Sequence, residues 1–200
     1  MKVTMATKSA FKAVGYSLKP RVGHVEGPEK SGAYWLNSDF SSVSREEYAK
    51  IAGDQADEIG MWYHPSEKDG ELTYFFGTVV DSFGYIPKGM IKVEIPEADY
   101  AVFTTEAAYL KNNKTAFARA IRNGWKYIFE EWFENSGNAY DQTKFSFEYY
   151  TDRNGGMDSE SAVAEIYIPI KRTRINSTLK RRNAVRSVSP FNVRPHRIFR

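Results

Sequence analysis

The sequence contains no cysteine. Disulfides, thiolate metal sites and a cysteine nucleophile are thereby excluded, and the composition suits a reducing compartment. Histidine is scarce: His24, His64 and His196 stand far apart, without metal-ligand spacing. Neither a metal site nor a cofactor is expected. His64, beside Pro65 at the end of "GMWYHP", reads as a loop residue rather than a base. No apolar run approaches the roughly 20 residues a membrane helix needs. The start, "MKVTMATKSAF", lacks the apolar core of a secretory signal. The expectation is a soluble, cytoplasmic protein with no membrane partner. No G-x-S-x-G stretch supports a hydrolase triad, and "FGTVVDSFGY" lacks a phosphate-binding pattern.

The longest stretch without acid is also the most basic. Residues 171–200 carry ten Lys/Arg and no Asp or Glu, which leaves 18 of the 28 basic groups to face all 25 acidic ones in the preceding residues. An acidic body, a poor nucleic-acid surface, is joined to a basic tail. Residues 173–200 have no amphipathic period and contain Pro190 and Pro195, which fits a solvated tail making at most nonspecific contacts.

What is abundant is aromatic side chain, 15% of the 200 residues. A chain of this length and 42% hydrophobic content supports one ordinary domain, expected over residues 1–172. Along it, "AFKAVGYSLKP" reads as a strand ending at proline. "AYWLNSDFSSVSREEYAKIA" reads as helical, with a restart at Ser44 before Glu46 and Glu47. "DEIGMWYHP" and "LTYFFGTVV" form a hairpin, the latter with rings on both faces. "MIKVEIPEADYAVFTT" is extended. "KTAFARAIRNGWKYIFEEWFENSG" is the clearest helix, with Phe117, Ile121, Trp125, Ile128 and Trp132 on one stripe and Gly137 beyond its end. Trp35, Trp125 and Trp132 are expected in the core. "KFSFEYY" and "AVAEIYIPIKR" are strands. Strand, helix, strand, strand thus occurs twice, over residues 2–81 and 89–171. The predicted class is α+β, with duplicated β-α-β-β units forming antiparallel sheet under two outer helices.

"KFSFEYY" sets one ionisable group among rings. Strand alternation puts Phe145, Phe147 and Tyr149 on one face and Ser146, Glu148 and Tyr150 on the other. The phenylalanine face is the natural one for a helix to cover. Glu148 then faces either open solvent or an aromatic cleft, and both readings stay open. In the cleft it would attract an organic cation or, with a raised pKa, act as a general acid or base. Trp62, flanked on its face by Gly60 and His64, is a candidate pocket wall.

"FKAVGYSL", "EIGMWY", "YFFGTVV", "VEIPEADYAVFTT", "GWKYIFEEWF", "FEYY" and "AEIYIPIK" together resemble the GyrI-like, or AraC-type, effector-binding domains, in particular the stand-alone integron-cassette members. The resemblance implies a central cleft between the two halves that takes small hydrophobic or cationic molecules. It implies that Glu148 is the ligand-facing acid and Tyr150 its companion, with Trp62 and Tyr100 along the cleft. It also implies two roles: sensing, regulation or drug sequestration by binding, or hydrolysis of electrophilic cyclopropane-type molecules with Glu148 and Tyr150 as catalytic residues. No helix-turn-helix precedes the first strand here, so no sequence-specific DNA binding is expected. The basic tail is not part of the family pattern.

Overall fold

The structure, a computed structural model, describes residues 1–18, 43–52, 57–63, 73–109, 114–151 and 161–171. The three histidines, Trp35, most of the first expected helix and the basic tail lie outside these residues.

The described strands are β1 (Lys2–Lys8), β2 (Phe11–Leu18), β3 (Glu58–Tyr63), β4 (Thr73–Val80), β5 (Ile91–Ile95), β6 (Ala98–Thr104), β7 (Ala108–Tyr109), β8 (Ala139–Tyr140), β9 (Phe147–Tyr150), β10 (Ser161–Ala162) and β11 (Glu165–Lys171). The helices are α1 (Arg45–Ala49) and α2 (Lys114–Tyr127), the latter running through a π turn (Ile128–Trp132) into α3 (Phe133–Ser136). Ser44 caps α1 by accepting from the Glu47 N–H at 3.3 Å, the restart legible in the sequence. Gly137 ends α3 at φ 69°, where a side chain would be strained. The strand β1 was not expected. It pairs with β6, not with the strand that follows it.

The sheet order is β1-β6-β11-β9-β3-β4-β2-β5, and every pairing along it is antiparallel. This order is a palindrome under exchange of β1 with β5, β2 with β6, β3 with β9 and β4 with β11. The duplication is therefore built into the topology, and the halves interleave, since β1 pairs into the second and β5 into the first. The fold is α+β, as expected. The seam between the halves is the β3–β9 pairing, in which Gly60 stands directly opposite Glu148.

The sheet curls. Strands β2 and β9 are three strand spacings apart, about 14 Å if flat, yet the Phe11 and Phe147 rings lie 5.5 Å apart. The curled-in face holds one core: Ala13, Ile59, Met61, Phe75, Ile95, Tyr100, Val102, Phe147 and Tyr149. The other face carries two. Residues of α2 and the π turn (Ile121, Trp125, Ile128, Phe129) pack on Ala101, Phe103, Ile166 and Ile168. Val14, Tyr16, Leu18 and Tyr74 pack with Tyr48 and Ile51 around α1. The buried Tyr74 and Phe75 belong to opposite faces, which accounts for the rings on both sides of β4.

One expectation is reversed. The phenylalanine face of β9 is not the helix-covered one. Phe147 and Tyr149 point into the curl, where the sheet covers itself, and α2 lies on the Glu148 face. A single sheet that closes on its own concave face needs no helix there.

Candidate functional site

Strand β9 turns Glu148 and Tyr150 outward, onto the face between the two outer clusters. Glu148 is only 4% exposed. Three neutral donors meet its carboxylate. The Trp125 indole N–H donates to Oε1 at 2.7 Å. The Tyr150 hydroxyl donates to Oε2 at 2.6 Å, and the Tyr74 hydroxyl reaches the same oxygen at 3.3 Å. Burial pushes the carboxyl above its ordinary range, and the bonds from Tyr150, Trp125 and Tyr74 partly oppose this. Tyr150 is itself pushed well above a normal phenol, first by burial and then by the Glu148 charge, so it remains a proton donor.

Gly60 makes this geometry possible. A Cβ there would overlap the Tyr74 hydroxyl and lie 3.2 Å from Glu148 Oε2. Tyr74 passes through the space a side chain would fill. The palindrome gives the pair further meaning. Both halves open with strands joined by a two-residue link, Ser9-Ala10 and Pro96-Glu97. Following the register outward from these links makes Ile59 the counterpart of Phe147. Gly60 is then the counterpart of Glu148, and Trp62 that of Tyr150. The pseudo-twofold axis passes between a glutamate and a glycine, so one carboxylate stands where strict duplication would set two like charges together.

Rings surround the acid. Trp62 is half-buried, with its ring 4.9 Å from that of Tyr74. Phe117 of α2 lies 6.0 Å from Tyr150. Tyr48 of α1 stacks on Phe76 at 5.9 Å. Of the residues singled out in the sequence, Glu148, Tyr150 and Trp62 share this face. Tyr100 does not: it sits in the curled-in core, its ring 5.4 Å from Phe147, and the sheet separates it from Glu148. Its neighbour Ala101, like Phe103, is a residue of β6 that faces outward. The Tyr100 hydroxyl is buried without a hydrogen-bond partner among the described residues, and burial pushes it up to about 12.

Sequence reasoning missed three members. Trp125 was assigned to the core; it is buried there and also donates to the acid. Tyr74 and Gly60 gave no signal of their own, because their roles depend on the cross-strand register. Among the described residues no group of His, Asp and Glu could hold a metal ion, and no helix is long and apolar enough to cross a membrane.

The strand order is thus duplicated about a buried acid set among aromatic rings. The chain belongs to the family described as Cass2, integron-associated effector binding protein, which matches residues 24–170. It is 29% identical over 122 residues to the transcriptional regulator BrlR of Pseudomonas aeruginosa, covering 60% of this chain and 41% of that regulator. The chain therefore spans less than half the length of that relative. Among solved structures, SAV2435 bound to tetraphenylphosphonium superposes with a TM-score of 0.57 at 16% identity, covering 86% of this chain and 94% of that one. An integron cassette protein from Vibrio cholerae gives 0.50 at 11% identity, covering 84% and 95%. These structures share the fold.

Proposed function

We propose that this chain binds a small, amphipathic organic cation, with Glu148 as the charge partner and Trp62, Tyr74 and Tyr150 as the ring walls. The observation that carries this is the buried Glu148 carboxylate, whose described partners are all neutral. Removing a carboxylate from water is costly, and neutral donors return only part of that cost. A cation entering among the rings supplies the missing charge, and it gains both from the carboxylate and from the ring faces. The relative that was solved with tetraphenylphosphonium, itself a lipophilic cation, supports the ligand class. The similarity to a transcriptional regulator supports sensing as the role, with sequestration as the other form of the same activity. Titration of tryptophan fluorescence with tetraphenylphosphonium tests the proposal. Saturable quenching that Glu148→Gln abolishes is expected, since Trp125 touches the acid. Equal quenching in both proteins contradicts it.

The 2.6 Å contact between Tyr150 and Glu148 favours one second reading. A carboxylate that activates water, beside a phenol that donates a proton, is suited to hydrolysing an electrophilic small molecule. Product formation from a cyclopropane-type substrate, lost in both Glu148→Gln and Tyr150→Phe, distinguishes it from binding alone.

A further inference from the structure

The hydrogens around Glu148 can be counted bond by bond. Its Oε1 accepts from the Trp125 indole, a group that can only donate. Its Oε2 meets two hydroxyls, those of Tyr150 at 2.6 Å and Tyr74 at 3.3 Å. A hydroxyl donates or accepts according to how its hydrogen is turned. The Oε2 side therefore has room for one more proton. Glu148 then donates from Oε2 to Tyr150, and Tyr150, which also hydrogen-bonds to Tyr74, turns its own hydrogen there. No heavy atom has to move, and no bare charge is left in a site closed to water.

Nothing described around the acid supplies a countercharge in place of that proton. Its own strand contributes Tyr150, and β4 contributes Tyr74. On β3, Gly60 stands opposite and Glu58 lies diagonal, with the Tyr48 hydroxyl of α1 donating to Glu58 at 2.7 Å. On β11 the neighbour is Ile166. Helix α2 contributes Trp125. Its Arg119 and Lys126 are exposed and its Arg122 is half-buried, and Lys126 turns instead to Glu130 at 3.8 Å. Among the described residues no Lys or Arg forms an ion pair with Glu148. The rise of its pKa by burial agrees in direction.

We propose that Glu148 rests as the neutral acid in the free chain, and that a permanently charged organic cation binds by displacing its proton. This rests on the cation-binding reading of Glu148. In the exchange the Oε2–H bond breaks, the proton passes to water, and the electron pair stays on the carboxylate that now faces the cation. One positive charge replaces another, so the buried site never holds an uncompensated one. Below the folded pKa of Glu148, affinity rises about tenfold per pH unit, because a proton competes for each site. Above it, affinity is flat. Glu148→Gln then mimics the proton-loaded acid, a state that cannot be unloaded.

Two measurements on the full chain test this at about pH 6, where ordinary carboxyls are ionised. The first is calorimetry of tetraphenylphosphonium binding in buffers of small and large ionisation enthalpy, which counts protons. Release of about one proton per cation bound is expected, falling to none as pH rises and affinity levels off. The second is the infrared carbonyl stretch of a protonated carboxylic acid. It should be present in the free wild type, absent from Glu148→Gln, and lost from the wild type on saturation with tetraphenylphosphonium. Saturable binding with no proton release, or a free wild type without the acid band, overturns the exchange and leaves the cation-binding reading standing. Failure of the wild type to bind the cation at any pH overturns both.

Discussion

At the scale of single residues, the account turns on a carboxylate held out of water by neutral donors. Its folded-state pKa is raised above the ordinary value of 4.5. Such a group contributes fully to stability below that value and loses its contribution as pH rises through the folded pKa. Glu148→Gln should therefore gain in melting temperature relative to wild type as pH rises from about 4 to about 8, the reverse of what loss of a surface salt bridge would do. A difference that stays constant with pH would show that the acid is not strained by burial. Gly60 offers a second check. Gly60→Ala should cost about 1–3 kcal/mol in denaturant unfolding, the range for overfilling a packed site. Tyr74→Phe should recover part of that cost in the double variant, because the hydroxyl is what the new Cβ meets. Simple additivity of the two changes would mean that the clash is relieved elsewhere. Glu148 and Tyr150 were legible in the sequence because "FEYY" sets an acid against rings. Gly60 was not, since a glycine in a strand is silent until its cross-strand partner is known.

At the scale of elements, the long helix bears on both the core and the site. Its π turn over Ile128–Trp132 inserts a wider turn between Trp125, which touches Glu148, and Trp132, whose ring meets Phe103 edge-on at 4.9 Å. An α-helix advances about 100° per residue, so one residue decides whether both contacts can exist. Deleting Glu131, an exposed member of that turn, should restore plain α geometry and break one of them. The expected loss is about 1–3 kcal/mol, the cost of leaving a buried polar group unpaired, together with a changed near-ultraviolet tryptophan signal. Unchanged stability and spectrum would show that the turn is incidental. The helix itself was plain in the sequence from its 3–4 residue stripe. Which face of β9 it covers was not, because alternation defines two faces without saying what lies over each. A sheet curled onto Phe147 and Tyr149 supplied the cover that a helix was expected to give. Strand β1 was missed for a similar reason: its side chains are mostly exposed, and its place comes from pairing with β6, far along the chain.

At the scale of the whole molecule, duplication makes the site. The two halves meet along β3 and β9, each lends an edge strand to the other, and the pseudo-axis falls at the Gly60–Glu148 pair. The repeated order of elements was readable from the sequence, and the strand order bears it out. Tyr100, set along the cleft by the resemblance, lies in the curled-in core on the face opposite Glu148, because which side of a curled sheet is the inside depends on its pairing partners. The most direct measurement is a crystal structure with a bound lipophilic cation. The account predicts the positive centre within about 6 Å of aromatic ring centroids on the outward face, beside Glu148, with the Tyr74 hydroxyl drawn away from Oε2. A cation lodged elsewhere, with Trp125, Tyr150 and Tyr74 still closed on the acid, would contradict it.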